Sequence, residues 1–138
     1  MVEITLKGHK VAKGKACGEA LVSHAPISFM GGVNPETGVL VEKGHELEGV
    51  NLRGKILVFP KEKGSTGGAY QLYEMVRCDT APKGLITLRA GSIITCGAII
   101  ANIPVVDKLD QNPLEMISSG DYVELDADQG TVTVRRRE

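Results

Sequence analysis

Between residues 55 and 106, short apolar runs alternate with segments of helical periodicity. The apolar runs are 55–60, 84–88 and 103–106, and their aliphatic and β-branched content is typical of buried strands. The two segments between them, 69–76 and 92–101, are long enough for short helices. Strand–helix–strand connections within one sheet require parallel pairing, so this order predicts a parallel sheet covered by helices.

The two ends of the chain carry patterns typical of extended structure. Residues 2–6 and 18–23 predict opening strands, and residues 122–126 and 131–134 predict a hairpin across the turn at 128–130. The expected fold class is therefore α/β, with a mixed, partly parallel sheet, helices covering it, and β segments at both ends. With 138 residues and 42% hydrophobic content, the chain is expected to form one domain over 1–138.

The spacing of apolar residues also predicts which side of each helix is buried. The face predicted for the first helix comprises Ala69, Leu72, Tyr73 and Val76, at i, i+3, i+4 and i+7. For the second helix, the residues expected to be largely buried are Ile93, Cys96, Ala98 and Ile100. The first helix is expected to end before Pro82, because proline disfavours helical geometry in the preceding residue.

The charge balance and hydropathy exclude some classes of partner. Sixteen basic and 17 acidic residues leave a formal charge of −1, which argues against binding to nucleic acid through phosphate neutralisation. No apolar segment reaches transmembrane length, and the first residues do not resemble a signal peptide. We therefore expect a cytoplasmic protein that binds neither nucleic acid nor membrane.

The cysteines and histidines are too dispersed to predict a metal site in this chain. Three cysteines, at positions 17, 78 and 96, match neither a disulfide framework nor the spacing of zinc and iron–sulfur motifs. We expect them to be buried free thiols. If the protein uses a metal, another chain is expected to hold it.

Two glycine-rich loops are the candidate ligand-binding segments. The loop at 61–68 joins a predicted strand to a predicted helix, where backbone N–H groups and the helix dipole favour an anion. Ser65 or Thr66 can cap that helix, and a plain helix cap is the structural alternative to a ligand site. The order of residues does not match a nucleotide P-loop, which requires a lysine after its glycines. The loop at 28–38, which contains Gly31 and Gly32, is either a surface turn or a place of close ligand approach.

Several separated segments together resemble the small, swivelling domain of aconitase X. They are 28–38, 45–47, 64–68, 80–82, 97–101 and 103–106, and their order and spacing match over nearly the whole chain. The resemblance implies a swivelling β/β/α domain. Two positions depart from the family pattern: Asn34 replaces a usual acidic residue, which would change charge recognition there, and Met30 replaces a usual aromatic.

The resemblance implies a heteromeric hydro-lyase whose large subunit carries a four-iron four-sulfur cluster. The expected reaction is dehydration of (R)-5-phosphomevalonate to trans-anhydromevalonate 5-phosphate in an archaeal-type mevalonate pathway, with Ser65 as the proton acceptor. Lys63 is a candidate cation for stabilising the reaction, although a solvated lysine is the commoner interpretation. The residues expected to contact the substrate are Lys63, Gly64, Thr66, Gly67, Gly31, Gly32 and Asn34.

Two alternatives to this hypothesis remain open. A cis-3-hydroxyproline or another hydroxy acid could be the substrate of the same chemistry. A different class of function is a non-catalytic anion-binding or assembly subunit, in which Ser65 only caps a helix.

Overall fold

The structure is a computed structural model that describes residues 2–64 and 67–136. Its elements follow one another as β1 (Val2–Lys7), β2 (His9–Ala12), β3 (Lys15–Val22), α1 (Phe29–Gly32), β4 (Ile56–Phe59), α2 (Gly68–Arg77), β5 (Gly84–Thr87), α3 (Ser92–Ala101), β6 (Val105–Asp107), α4 (Pro113–Met116), β7 (Tyr122–Asp126) and β8 (Thr131–Arg136). The segment α1 is an irregular turn, because Met30 and Gly31 depart from helical φ and ψ. None of the helices in the described part is long and apolar enough to cross a membrane.

The strands form a single mixed sheet in the order β1-β8-β7-β3-β4-β5-β6-β2. Strands β3, β4, β5 and β6 run parallel to one another, and the other pairs are antiparallel. Strand β3 joins the two halves, because residues 15–19 pair with β7 and residues 20–22 pair with β4. The predicted α/β class, the parallel centre and the closing hairpin are confirmed.

Each face of the central parallel strands contributes to a separate hydrophobic core. On one face, Leu57, Phe59 and Leu85 pack with Leu72 of α2 and Ile94 of α3. Side chains alternate along each strand, so the neighbouring residues Ile56, Val58 and Ile86 point to the other face. There they form a second cluster with the antiparallel half of the sheet, including Val58, Ile86, Val123, Leu125 and Val134. The sheet is thus covered by helices on one side and by its own second half on the other.

Helix α2 lies where the sequence predicts it, but its buried face is different. Of the predicted residues, only Leu72 is fully buried, while Tyr73 and Val76 are 42% and 40% exposed. Met75, which was not predicted, is fully buried. The apolar stripe of this helix is wider than the surface that the sheet covers, and periodicity alone cannot identify the covered part.

Of the residues predicted to be buried on helix α3, Ala98 is fully buried, but the other three are not, for the same reason. Cys96 and Ile100 are exposed and Ile93 is only half-buried, whereas the buried residues are Ile94, Gly97, Ala98 and Ala101. A Cβ at Gly97 would lie 2.9 Å from Cδ1 of Leu72 and 3.0 Å from Cα of Ala69. Gly97 therefore permits a close approach of the two helices, although glycine lowers intrinsic helix propensity.

The expectation of buried thiols is also wrong. Cys17 and Cys96 are exposed, Cys78 is half-buried, and all three are free. Cys17 occupies a strand position that faces away from both cores, and Cys96 lies on the outer face of α3. Their reduced state agrees with the prediction, but their locations do not.

Candidate active site

The two glycine-rich loops lie side by side beyond the end of β4. Backbone hydrogen bonds connect them: the N–H of Ile27 donates to the carbonyl of Lys61 at 3.2 Å, and the N–H of Lys63 donates to the carbonyl of Ile27 at 3.0 Å. These bonds form a single parallel bridge between Ile27 and Glu62, in the same direction as the pairing of β3 with β4. The segments at 28–32 and 61–68, which are far apart in sequence, therefore begin next to each other.

Gly64 brings the second loop against the first. Its φ is +96°, in the region that favours glycine, and a Cβ there would lie 2.6 Å from Oγ of Ser28. The Ser28 hydroxyl in turn donates a hydrogen bond to the carbonyl of Met30 at 2.8 Å. Both the backbone conformation and the contact with Ser28 thus require glycine at this position.

The start of α2 packs against Met30 of the first loop. A Cβ at Gly67 would lie 3.2 Å from Sδ of Met30, and a Cβ at Gly68 would lie 3.1 Å from Cγ2 of Ile93. Glycine at both positions allows side chains from two other segments to approach the helix start. Met30 remains 49% exposed beside the second loop, at the position where related sequences are expected to carry an aromatic residue.

The residue expected to perform the chemistry lies outside the described residues. Ser65 and Thr66 fall between Gly64 and Gly67, which are both described. The structure therefore describes the residues that flank the Ser65–Thr66 pair but does not test the predicted role of Ser65. The N-cap of α2 is Gly67, so the prediction that Ser65 or Thr66 occupies that position is wrong. The helix begins later in the glycine-rich segment than the hydroxyl residues indicated. The substrate contact of Thr66 remains a prediction.

Lys63, the predicted cation of this loop, is paired with an acidic residue. Its Nζ donates to Oε2 of Glu42 at 2.8 Å, and the Lys63 and Glu42 side chains are 44% and 28% exposed. Glu42 belongs to the segment that follows the first loop, so this ion pair is a further link between the two loops. Lys63 is therefore not an isolated solvated lysine. It is a cation whose charge is already paired with the carboxylate of Glu42.

Gly31 and Gly32 have different surroundings. Gly31 is exposed, with φ of +84°, and a Cβ there would have no heavy atom within 4 Å. Gly32 is buried, and its carbonyl accepts a hydrogen bond from the N–H of Val41 at 2.8 Å. Only Gly31 presents open space to a ligand, and its predicted contact with substrate is still a prediction.

The Asn34 side chain stabilises a turn. Its Oδ1 accepts a hydrogen bond from the N–H of Glu36 at 2.9 Å, and its carbonyl accepts one from the N–H of Gly38 at 2.8 Å. Within residues 2–64 and 67–136, no hydrogen bond or ion pair joins Asn34 to Lys63 or Gly64. Asn34 is exposed, so its predicted substrate contact stays a prediction.

The structure also reveals an acidic side chain at the site that the sequence did not indicate. Oε2 of Glu62 accepts a hydrogen bond from the N–H of Gly91, at the start of α3, at 3.3 Å. A groove of about 480 Å³ runs here between residues 60–62 and 88–91. It is lined by Lys61 and Arg89, which are exposed and have no ion-pair partner in the described part of the chain. No local pattern predicts this contact, because 29 residues separate its two partners.

Glu46 anchors the segment that leads into the first loop. Its Oε1 accepts hydrogen bonds from the N–H groups of His24 and Ala25, the latter at 2.9 Å. Burial alone would raise the pKa of the Glu46 carboxyl, but these hydrogen bonds and the charge of His24 outweigh it and lower that pKa. The buried His45 adds a second anchor, because its Nε2 donates to the carbonyl of Pro26 while its Nδ1 accepts from the N–H of Leu47, each at 3.0 Å.

The residues present do not fit an iron–sulfur cluster. Such clusters are held by several converging cysteine thiolates, whereas Cys17 lies on β3, Cys78 at the end of α2 and Cys96 on α3. No group of three or more His, Cys, Asp or Glu side chains suitable for a metal occurs in the part that the structure describes.

The arrangement can stabilise negative charge near the second loop. The first N–H groups of an α-helix have no partner within the helix, and the helix dipole places partial positive charge there. Helix α2 begins at Gly68, directly after the loop, and Gly64 and Gly67 of that loop lie close to Ser28 and Met30 of the first loop. Such a loop can bind a carboxylate or phosphate, or stabilise an alkoxide that forms on one of its hydroxyls.

Comparison with known proteins agrees with this geometry. The chain is 48% identical over 127 residues to the phosphomevalonate dehydratase small subunit of Methanocella arvoryzae. The aligned region covers 92% of this chain and 96% of that protein. The chain is equally identical over 129 residues to the protein of the same name from Thermococcus sibiricus, covering 94% of this chain and 97% of that one. The crystal structure of aconitase X from Thermococcus kodakaraensis in its holo form superposes with a TM-score of 0.91 at 44% identity, over 96% of this chain and 99% of that one.

The family assignment rests on nearly the whole chain. The family model of the aconitase X swivel domain matches residues 5–134, which include both glycine-rich loops and the four parallel strands β3 to β6. The resemblance inferred from separated sequence segments is thereby confirmed. This chain belongs to the aconitase X swivel domain family.

Proposed function

We propose that this chain is the small subunit of a dehydratase that converts (R)-5-phosphomevalonate to trans-anhydromevalonate 5-phosphate. The names of relatives that match over more than nine-tenths of the chain support this substrate. The observation that carries the catalytic part is the packing of two glycine-rich loops around the start of α2, on either side of Ser65. The reaction belongs to the archaeal-type mevalonate pathway.

In this proposal Ser65 accepts the proton from the carbon next to the substrate carboxylate. A serine is a weak base unless its alkoxide is stabilised, so the loop must supply donors and positive potential. The backbone N–H groups of the loop and the dipole of α2 are suitable sources. Lys63 can add a cation, but it must first exchange its ion pair with Glu42 for one with the substrate or the alkoxide.

The substrate lies across both loops in this proposal. Gly64, Thr66 and Gly67 contact it from the second loop, and Gly31 lines it from the first, where the buried Gly32 supports the loop from behind. Gly31 supports this placement, because the space that a side chain would fill there is open. Asn34 contributes a neutral amide where the family resemblance leads us to expect an acidic residue, which favours a more negatively charged substrate at that point.

A large subunit completes the enzyme in this proposal and carries the four-iron four-sulfur cluster. The lack of a suitable ligand group among the described residues of this chain is consistent with that division. Activity is expected only in the heteromer, and its place is the cytoplasm. The chain from residue 1 to 138 is proposed to act as one domain that swivels against the large subunit.

The substrate is tested with the heteromer formed from this chain and the large subunit of its own organism, prepared anaerobically. Formation of the unsaturated product is measured from 5-phosphomevalonate and from cis-3-hydroxyproline under identical conditions. We expect turnover with 5-phosphomevalonate. Turnover restricted to hydroxyproline, or to neither substrate in a complex with an intact cluster, would overturn the proposed substrate.

The non-catalytic alternative is separated by two serine variants. Ser65→Ala removes the proposed base, whereas Ser118→Ala removes an exposed hydroxyl in the turn before β7, in the antiparallel half of the sheet. If Ser65 has no catalytic role, Ser65→Ala leaves the complex active. If Ser65 is the base, only Ser65→Ala abolishes turnover.

A further inference from the structure

The outer faces of α2 and α3 expose large apolar side chains next to one another. Tyr70 and Tyr73 are 71% and 42% exposed, and Ile99 and Ile100 are 59% and 60% exposed. With Ala69, three of them line a groove of about 410 Å³. We call the surface formed by Tyr70, Tyr73, Ile99 and Ile100 the α2–α3 apolar face.

This face does not serve the fold of the chain itself. The sides of the helices that cover the sheet are formed by other residues, including Leu72 and Met75 of α2 and Ile94 of α3. The sequence of α3 from 92 to 101 contains no charged residue, whereas a helix at the surface of a monomer usually has a polar outer face. An unused apolar face on a helix indicates a binding partner.

The size and charge of the face indicate the chemistry of that partner. Two tyrosines and two isoleucines at these exposures present roughly 400 Å² of side-chain surface, about half of the ~800 Å² that each partner buries in a standard protein interface. The nearest ion pair on α2, Glu74 with Arg77, is internally neutralised. The complementary surface should therefore be apolar and uncharged, with one side chain that fills the groove.

The position of the face identifies which protein it binds. Helix α2 begins at Gly68, so Tyr70 lies in the first turn after the second glycine-rich loop, and the 49%-exposed Met30 packs against Gly67 beside it. A protein that covers the α2–α3 apolar face consequently borders the candidate active site. We propose that the α2–α3 apolar face is the docking surface for the large subunit; this rests on the proposed function, in which that subunit completes the site.

The test measures binding rather than turnover, so that it is independent of the substrate. Tyr70→Glu and Ile100→Glu place a charge on the face, and both residues are exposed, so the isolated chain should keep its fold. Tyr122→Glu is the matched control, because Tyr122 is 44% exposed on β7 in the antiparallel half of the sheet. Circular dichroism and thermal melting of each isolated variant establish that it is folded.

The dissociation constant for the large subunit of the same organism is then measured by titration calorimetry. We expect Tyr70→Glu and Ile100→Glu each to weaken binding at least tenfold, and Tyr122→Glu to change it less than twofold. Wild-type affinity in the first two variants would overturn the proposal, as would a lack of binding by the wild-type chain. The proposal would also be overturned if the wild-type chain self-associates and Ile100→Glu makes it monomeric without changing its affinity for the large subunit.

Failure of the proposed function has a different signature. A complex that assembles through this face but dehydrates neither 5-phosphomevalonate nor hydroxyproline would contradict the substrate while supporting the docking surface.

Discussion

The close approach of Gly64 to Ser28 is one of the links between the two glycine-rich loops, and a double-mutant cycle can measure it. In Gly64→Ala, a φ of +96° becomes strained at a cost of about 1–3 kcal/mol. The new Cβ also meets Oγ of Ser28 at 2.6 Å. The hydroxyl can move only by giving up its hydrogen bond to the Met30 carbonyl, which contributes about 0.5–1.5 kcal/mol. The single variant should therefore lose about 2–4 kcal/mol of unfolding free energy.

The Ser28→Ala background separates the two contributions. Without Oγ, the nearest atom to the new Cβ is Cβ of residue 28 at 3.4 Å, an ordinary contact. Only the backbone strain then remains, so Gly64→Ala should cost about 1 kcal/mol less in Ser28→Ala than in the wild type. Urea unfolding followed by circular dichroism gives all four free energies. Equal costs in both backgrounds, or no cost at all, would refute the packing described here.

Three further changes test other parts of the structure. Gly97→Ala should lower the free energy of unfolding in urea by about 1–2 kcal/mol. The new Cβ would overpack against the fixed Cα of Ala69 at 3.0 Å, and this cost exceeds the gain of about 1 kcal/mol in helix propensity. Increased stability would contradict the close helix contact. Thr87→Val should raise the melting temperature, because its fully buried hydroxyl has no hydrogen-bond partner among the described residues; a lower melting temperature would show that the hydroxyl is satisfied. Glu46 has a lowered pKa, so the stability it contributes is present above its ordinary value of 4.5 and is lost as the pH falls through the folded-state value. Glu46→Gln should therefore lower the free energy of unfolding by at most about 1 kcal/mol at pH 7, since the Glu46 side chain is 40% exposed. The difference in stability between wild type and variant should disappear below about pH 4.5. A difference that stays constant with pH would exclude the linkage.

The central strands and the position of the second loop could be predicted from the sequence because their signals are local. The run at 56–59 is fully buried and is followed by Pro60, and the run at 84–87 is bounded by Gly84. Each of these strands is covered on both faces, and such strands consist of continuous apolar residues. The glycines at 64, 67 and 68 mark the following turn: Gly64 is required by its positive φ and its contact with Ser28, and Gly67 and Gly68 allow close packing of Met30 and Ile93.

The orientation of the helices could not be predicted, because their apolar residues outnumber the positions that the core covers. Tyr73 and Ile100 continue the periodic pattern, yet both are exposed. A partner surface and a core surface impose the same hydrophobic requirement, so one sequence cannot distinguish them. The misassigned residues are in part those of the proposed docking surface, which accounts for the error physically.

The polar contacts of the site could not be predicted because they join distant segments. Lys63 pairs with Glu42 across 21 residues, and Glu62 reaches Gly91 across 29. The contact between Glu62 and Gly91 depends on the chain path that brings the ends of β4 and β5 together, and the pair of Lys63 with Glu42 depends on the path that returns from the first loop. Ser65 remains a prediction from family resemblance, supported by the glycine-rich packing on both sides of it.

The rate of water loss from 5-phosphomevalonate by the assembled heteromer decides whether Ser65 is the base. It is measured at saturating substrate for the wild type, Ser65→Ala and Ser118→Ala, after cluster content and assembly have been shown to be equal. We predict that Ser65→Ala lowers kcat by about 10²–10⁴-fold and that Ser118→Ala leaves it unchanged. A Ser65→Ala complex that turns over at the wild-type rate would contradict the assignment of Ser65 as proton acceptor.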